Sequence, residues 1–224
     1  MTTFKSTKRI FKQIFNEIIN ESSISDIDEA AFPAYAHKNI LIDYLFWKRI
    51  EVAFDYAQRN NNPKKILDFG CGSGVLTYLL ANNKHEVTST DIEFSPLNLV
   101  KEKIDFPSEV RFIEGDIISN ELNHNYFDII YALDVLEHVD NIEEYIKLFE
   151  KLLTPNGVII VSGPTENIFY KVGRIFAGKR FTGDYHLTNI AKIKQDFKQF
   201  LNVNTLKKLF PPITLFELFT ASKH

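Results

Sequence analysis

Three glycines, Gly70, Gly72 and Gly74, stand between a short apolar run, residues 65–69 (KILDF), and a stretch of helical periodicity over 74–81. A strand that turns through glycines straight into a helix opens an α/β sheet. In such a sheet the ligand crevice lies beyond the carboxyl ends of the strands. Glycine at that turn lets backbone approach a bound molecule with no Cβ in the way. The chain has only nine glycines in 224 residues, so this cluster is not a by-product of composition.

The same alternation continues downstream. Residues 86–91 (EVTSTD) read as a strand. Ser95-Pro96 opens a helix, with Pro at the first helical position. Residues 110–114 and 127–132 read as strands, and 139–153 as a helix ending before a turn at Pro155-Asn156-Gly157. Residues 158–162 (VIIVS) read as the fifth strand. Strands alternating with helices predict βαβ units and a mostly parallel sheet. Residues 199–209 and 213–222, either side of Pro211-Pro212, are expected to pair antiparallel.

Upstream of the sheet, Ile10, Phe11, Ile14, Phe15, Ile18 and Ile19 recur at helical spacing within 7–20. Lys5, Lys8, Arg9 and Lys12 crowd the start of that helix. Such a helix packs on the domain or covers its pocket. A membrane-surface helix is the alternative, since a basic amphipathic face suits one. Residues 21–34 read as a linker, and 38–59 as a second helix. The expected organisation is an N-terminal helical extension over 1–62, then a catalytic-sized domain over 63–224.

Composition narrows the function classes. Lys and Arg number 26 against 29 Asp and Glu, a formal charge of −3, so no nucleic-acid partner is expected. The only cysteine is Cys71, which excludes a disulfide framework and a cysteine-cluster zinc site. No run approaches the roughly 20 apolar residues that span a bilayer, and the N-terminus lacks the pattern of a secretory signal. A cytoplasmic location is expected.

The glycine spacing is G-x-G-x-G. It is neither the dinucleotide G-x-G-x-x-G nor a phosphate loop ending in Lys-Ser/Thr. Asp68, an acid just before the loop, disfavours an anionic ligand and tolerates a cationic one. Asp91, seventeen residues after Gly74, ends the second strand, where a carboxylate can accept both hydroxyls of a ribose. Asp116 follows the third strand and could accept from an adenine amine, with Ile117 against the ring; the alternative is a cap on the following turn. The fourth strand runs into 132–139 (ALDVLEHV).

ILDFGCGSG, the acid of the second strand, EGDI and FDIIYALDVLEHV together resemble the motif series of class I S-adenosylmethionine-dependent methyltransferases, and most closely the type 11 family. The resemblance spans about residues 64–163. It implies a Rossmann-like α/β fold: a seven-stranded, mostly parallel sheet with an antiparallel last strand and helices on both faces. It implies S-adenosylmethionine as cofactor. Gly70, Gly72 and Gly74, with Asp68 and Cys71 in the same loop, would bed the methionine part. Asp91 and Ile92 would serve the ribose side, Asp116 and Ile117 the adenine, and Ala132 and Leu133 the sulfonium side. Cys71 reads as a small filler, since no basic group is placed to lower its pKa.

Methyl transfer needs alignment and, for some acceptors, removal of a proton. His138, and His186 in the insertion over about 163–198, are the candidate bases. Asp134, Glu137 and His138 fall at i, i+3 and i+4, one face if helical. That pattern resembles some metal-assisted O-methyltransferases, but the expectation here is a capped helix start with no metal. The segment 162–186 mixes five aromatic with four basic side chains. It reads as a solvated basic face, or as a lining for an acidic, phosphate-bearing or lipid-linked acceptor. The expected function is methyl transfer to a small-molecule, glycan or lipid-precursor acceptor. A non-catalytic cofactor- or partner-binding member of the same fold is the rival, and a nicotinamide dehydrogenase is disfavoured by the glycine spacing. Oligomeric state is not legible in the sequence.

Overall fold

The computed structural model of the chain describes residues 2–21, 32–60, 62–120, 122–165 and 188–224. Two compact units divide it, Met1–Asn120 and Glu121–His224.

The first unit begins with helices α1 (Phe4–Glu21), α2 (Phe32–Tyr35) and α3 (Ile40–Ala57). The apolar face of α1 is spent inside the protein: Phe11, Ile14, Phe15 and Ile18 are all buried. The Phe11 ring meets Tyr78 at 5.3 Å, edge to face, and Phe15 meets Phe32 at 5.0 Å. Lys8 and Lys12, two of the four basic residues at its start, both reach Asp43 on α3, at 2.5 and 2.7 Å. A helix so paired has no apolar face left for a bilayer, which corrects the membrane-surface alternative. α2 overlaps the end of the expected linker at residues 32–34; Trp47 on α3 anchors α2 by donating from Nε1 to the Tyr35 carbonyl at 3.0 Å. Asn39 caps α3, its Oδ1 accepting from the Leu41 amide at 2.9 Å.

The sheet of this unit follows. Strands β1 (Lys65–Phe69), β2 (Glu86–Asp91) and β3 (Arg111–Glu114) are parallel, with Asp68 opposite Ser89 and Asp91 opposite Glu114. Helices α4 (Val75–Asn82) and α5 (Ser95–Lys101) make the crossovers, and Pro96 lies in the first turn of α5 as its spacing predicts.

In the second unit, β4 (Phe127–Leu133) and β5 (Leu153–Pro164) are parallel, with α6 (Ile142–Leu152) between them. Ile129, Ile130, Ile159 and Ile160 are fully or almost fully buried, the continuous apolar run expected of a strand covered on both faces. The Pro155-Asn156-Gly157 segment is not a turn ahead of the strand. Phe127 pairs with Leu153 and Ile129 with Val158, so residues 154–157 bulge out of a strand that has already begun. Helix α7 (Ile190–Phe197) precedes the tail, where β6 (Asn202–Leu209) and β7 (Phe216–Ser222) pair antiparallel, as expected. β7 also runs antiparallel to β5. The strand order is β3-β2-β1 within the first unit and β4-β5-β7-β6 within the second.

Candidate functional site: a glycine loop tied to a strand-end carboxylate

Three loops of the first unit are stitched together at the carboxyl ends of β1, β2 and β3. The Gly70 and Cys71 amides both donate to the Thr90 carbonyl, at 2.8 and 3.0 Å. The Gly72 amide donates to Asp91 Oδ2 at 2.7 Å. The Gly115 amide donates to the Asp91 carbonyl at 2.8 Å. The last residues of β2 therefore hold the glycine loop with one set of acceptors and the turn after β3 with another.

The glycines divide their labour. Gly72 has φ +52°, and a Cβ there would meet nothing within 4 Å. Its missing side chain opens on empty space. Gly74 has φ +75°, but a Cβ there would strike Leu97 Cδ1 at 2.7 Å and Phe106 Cζ at 2.9 Å. Its missing side chain makes room for α5 and the segment after it.

Asp91 is half-buried, and burial pushes its carboxyl pKa up despite the backbone amides that donate to it. A carboxylate offers about four lone pairs. The Gly72 amide takes one, the Ile92 amide another at 2.8 Å, and the Glu93 amide also donates. Capacity remains for a hydroxyl donor. The next side chain, Ile92, is 73 % exposed and presents bare apolar surface beside it.

Asp68 is buried and turned into the protein. Its Oδ2 accepts from Thr77 Oγ1 on α4 at 2.6 Å, and Thr77 Oγ1 lies 2.9 Å from Ser89 Oγ on β2. Burial raises its pKa to about 6, with the Asp91 charge adding to the effect and the Thr77 hydrogen bond opposing it. Burial likewise pushes the Cys71 thiol well above its ordinary value, so it stays protonated. The Thr77–Ser89 bridge was not anticipated: Thr77 sits in an apolar helical stretch, but Ser89 lies among the hydroxyls Thr88 and Thr90 and carries no distinguishing sequence signal.

On the third strand's side, Asp116 does cap a turn. Its Oδ1 accepts from the Ile118 amide at 3.0 Å at the head of a short 3₁₀ turn over Ile117–Ser119. Ile117 is buried and packs within the unit. Glu114, another residue the sequence did not single out, accepts from the Phe94 amide at 2.8 Å and shapes the path out of β2.

In the second unit, Ala132 is buried and Leu133 half-buried at the carboxyl end of β4. Asp134, Glu137 and His138 do not share a helical face. Asp134 is left-handed, φ +54°, and breaks the strand. Its amide donates to the Ser162 carbonyl at 3.0 Å, and its Oδ1 accepts from Ser162 Oγ at 2.8 Å. Leu136–His138 form a single 3₁₀ turn, and α6 begins only at Ile142, so His138 precedes the helix rather than starting it. Glu137 is buried while His138 is exposed, so the two point to different surroundings. Among the described residues no cluster of three or more His, Cys, Asp or Glu is arranged to hold a metal ion. His186 and the aromatic–basic stretch around it lie outside the described residues.

Known proteins share this architecture. Residues 67–161 match the family model described as a methyltransferase domain. A ubiquinone biosynthesis O-methyltransferase from Salmonella paratyphi A is 26 % identical over 140 residues, which are 62 % of this chain. The chain thus spans 56 % of the length of that relative. The solved magnesium protoporphyrin IX methyltransferase of Synechocystis, with bound S-adenosylhomocysteine, superposes with a TM-score of 0.63 at 18 % identity, covering 95 % of this chain and 100 % of that one. The N-methyltransferase NodS of Bradyrhizobium japonicum does so with a TM-score of 0.62 at 14 % identity, covering 94 % and 98 %. Those two likenesses concern the fold, while the matched stretch carries the glycine loop, Asp91, Asp116 and the end of β4: over residues 67–161 the chain is similar to a methyltransferase domain.

Proposed function

We propose that this chain transfers a methyl group from S-adenosylmethionine to a small-molecule, glycan or lipid-precursor acceptor. The observation that carries the reading is the 2.7 Å bond from the Gly72 amide to Asp91, at a glycine whose missing Cβ opens on empty space. A ligand seated over Gly72 would lie beside a carboxylate with acceptor capacity to spare and the exposed face of Ile92. Ribose hydroxyls and a purine ring match that pair of surfaces. Asp91 would take the hydroxyls, Asp116 the adenine, with Ile117 anchoring the Asp116 turn from inside the unit rather than meeting the ring, and Gly70, Gly72 and Gly74 the methionine part. Ala132 and Leu133 are assigned to the sulfonium side. Asp68, whose negative charge lies behind the loop, favours a cationic over an anionic ligand.

S-adenosylmethionine supplies a methyl already activated by positive charge: its carbon–sulfur bond breaks as the bond to the acceptor forms, and the electron pair stays on sulfur. The chain's own task is alignment, with desolvation of the acceptor atom. Where the acceptor is a hydroxyl or an ammonium, its proton must leave, and His138 and His186 are the candidates to take it. The absence of membrane-crossing length and apolarity in any described helix, together with a single free thiol, supports a cytoplasmic location.

The deciding experiment is a thermal-shift and calorimetric comparison of S-adenosylhomocysteine with NAD. Stabilisation by the first alone supports the reading, and an undiminished affinity in Asp91→Ala overturns it. The rival, a non-catalytic member of the fold, would bind S-adenosylhomocysteine yet turn over no acceptor in a screen with labelled methyl donor.

A further inference from the structure

The tail hairpin ends in an unusual tip. The Leu215 amide donates to the Leu209 carbonyl at 3.1 Å and closes the loop over residues 210–214. Thr165 pins it from the end of β5: its amide donates to the Leu215 carbonyl at 3.0 Å, and its Oγ1 donates to the Thr214 carbonyl at 2.7 Å. On this fixed loop Phe210 is 44 % exposed and Ile213 36 % exposed. Phe210 also has φ +71°. A bulky residue in that conformation is strained, and the fold holds Phe210 there with its ring partly in water.

The surroundings say what such a tip suits. Lys207 and Lys208, the residues of β6 nearest the loop, are both exposed. Residues 198–224 carry four lysines against a single acid, Glu217, in a chain that is acidic overall. Glu217 is already paired with Lys194 at 2.5 Å. Two apolar side chains projecting from a rigid turn, with uncompensated lysines just behind them, match the layering of an anionic bilayer: hydrocarbon first, charged headgroups above. Pairing of β6 with a second copy is opposed by the same lysines, which blunt an edge strand.

The tip also has a position of consequence. Pro164 at the carboxyl end of β5 pairs with Phe216, directly after the loop. Ser162, two residues earlier on β5, holds Asp134. The tip therefore lies beyond the same strand ends as the Asp134 turn, on the rim where ligands of an open α/β sheet bind.

We propose that the 210–214 tip, with Lys207 and Lys208, docks this protein on an anionic membrane surface. Docking there brings the carboxyl-end rim of the second unit to the lipid. The inference stands apart from methyl transfer and is tested without it.

The test uses the full chain with vesicles of phosphatidylcholine alone and of phosphatidylcholine mixed with phosphatidylglycerol. A Phe210→Trp variant adds an exposed reporter to the buried Trp47, and its emission should shift to the blue on anionic vesicles only. Lys207→Gln/Lys208→Gln should weaken cosedimentation about thirtyfold at low salt. Phe210→Ser/Ile213→Ser should abolish it with an unchanged melting temperature. An unshifted Phe210→Trp emission overturns the proposal, as does equal binding to neutral vesicles. Concentration-dependent self-association that the serine pair abolishes, without vesicle binding, would overturn it in favour of a second copy.

Discussion

Asp91 Oδ2 accepts the Gly72 amide at 2.7 Å, nineteen residues away in the chain and on the neighbouring strand's loop. The carboxylate that would meet a ribose is thus the same group that gives the glycine loop its shape. Binding and loop geometry are coupled through one side chain.

That coupling makes Asp91→Ala worse than the loss of one contact. It removes a charged acceptor for the ligand and leaves the Gly72 amide without its partner. Hydrogen bonds to charged groups contribute about 1.5–3 kcal/mol, so S-adenosylhomocysteine should bind roughly ten- to a hundredfold more weakly by calorimetry. Asp91→Asn keeps one carbonyl oxygen and should lose less. Equal losses in the two variants would mean that charge, not loop shape, dominates.

Gly72→Ala and Gly74→Ala should separate. Both incur backbone strain of about 1–2 kcal/mol at positive φ. Only Gly74→Ala also drives a methyl into Leu97 and Phe106, adding about 1–3 kcal/mol of overpacking. Urea denaturation should show the larger stability loss at 74. Ligand titration should show the larger affinity loss per unit of stability at 72, where the methyl would intrude on open space.

Two buried groups should oppose each other in acid. His85 accepts the Lys64 amide on Nδ1 at 3.2 Å, and burial lowers its pKa to about 4 from an ordinary 6.5. The folded state then holds it neutral, so its contribution is complete above about pH 6.5 and declines as pH falls toward 4. Asp68 has its folded pKa raised to about 6. The folded state binds its proton more tightly, so its contribution is present in acid and is lost as pH rises from about 4 to 6. Each proton amounts to a slope of about 1.4 kcal/mol per pH unit, with opposite signs. Chemical denaturation between pH 4 and 6 should therefore steepen upward with pH in Asp68→Asn and turn downward in His85→Gln. Parallel pH profiles for the two variants and the parent would contradict both assignments.

Asp134 keeps its left-handed backbone because Ser162 holds it at two points. Ser162→Ala removes one of them and should cost about 1 kcal/mol. Asp134→Gly in that background should recover part of the loss by relieving the strain. A thermal-melt double-mutant cycle on positions 134 and 162 should be non-additive, as residues in direct contact are.

The pattern of strands, the antiparallel tail and the placing of an acid at the end of β2, after the glycine turn, were legible in the sequence. Each rests on local signals: runs of buried β-branched residues, Pro96 at a helix start, glycines at a turn. The helical face assigned to Asp134, Glu137 and His138 was not. Spacing at i, i+3 and i+4 implies a face only if the backbone is helical, and the bond from Ser162 on another strand bends it away at Asp134. The packing of α1 on the domain was legible from its apolar spacing, but the partner of its basic start was not, since Asp43 on α3 claims Lys8 and Lys12.

What the sequence determined alone is the order of elements and the identity of the acids and glycines at the strand ends, because turns and periodicities act over a few residues. Only the tertiary structure decided which surfaces those residues face. Gly72 opens on space while Gly74 makes room for Leu97, and Asp68 turns inward to Thr77 while Asp91 grips the loop. The 210–214 tip, with the Phe210 ring partly in water, is held by bonds from Thr165, just past β5. Such choices depend on partners distant in the chain, which no local spacing encodes.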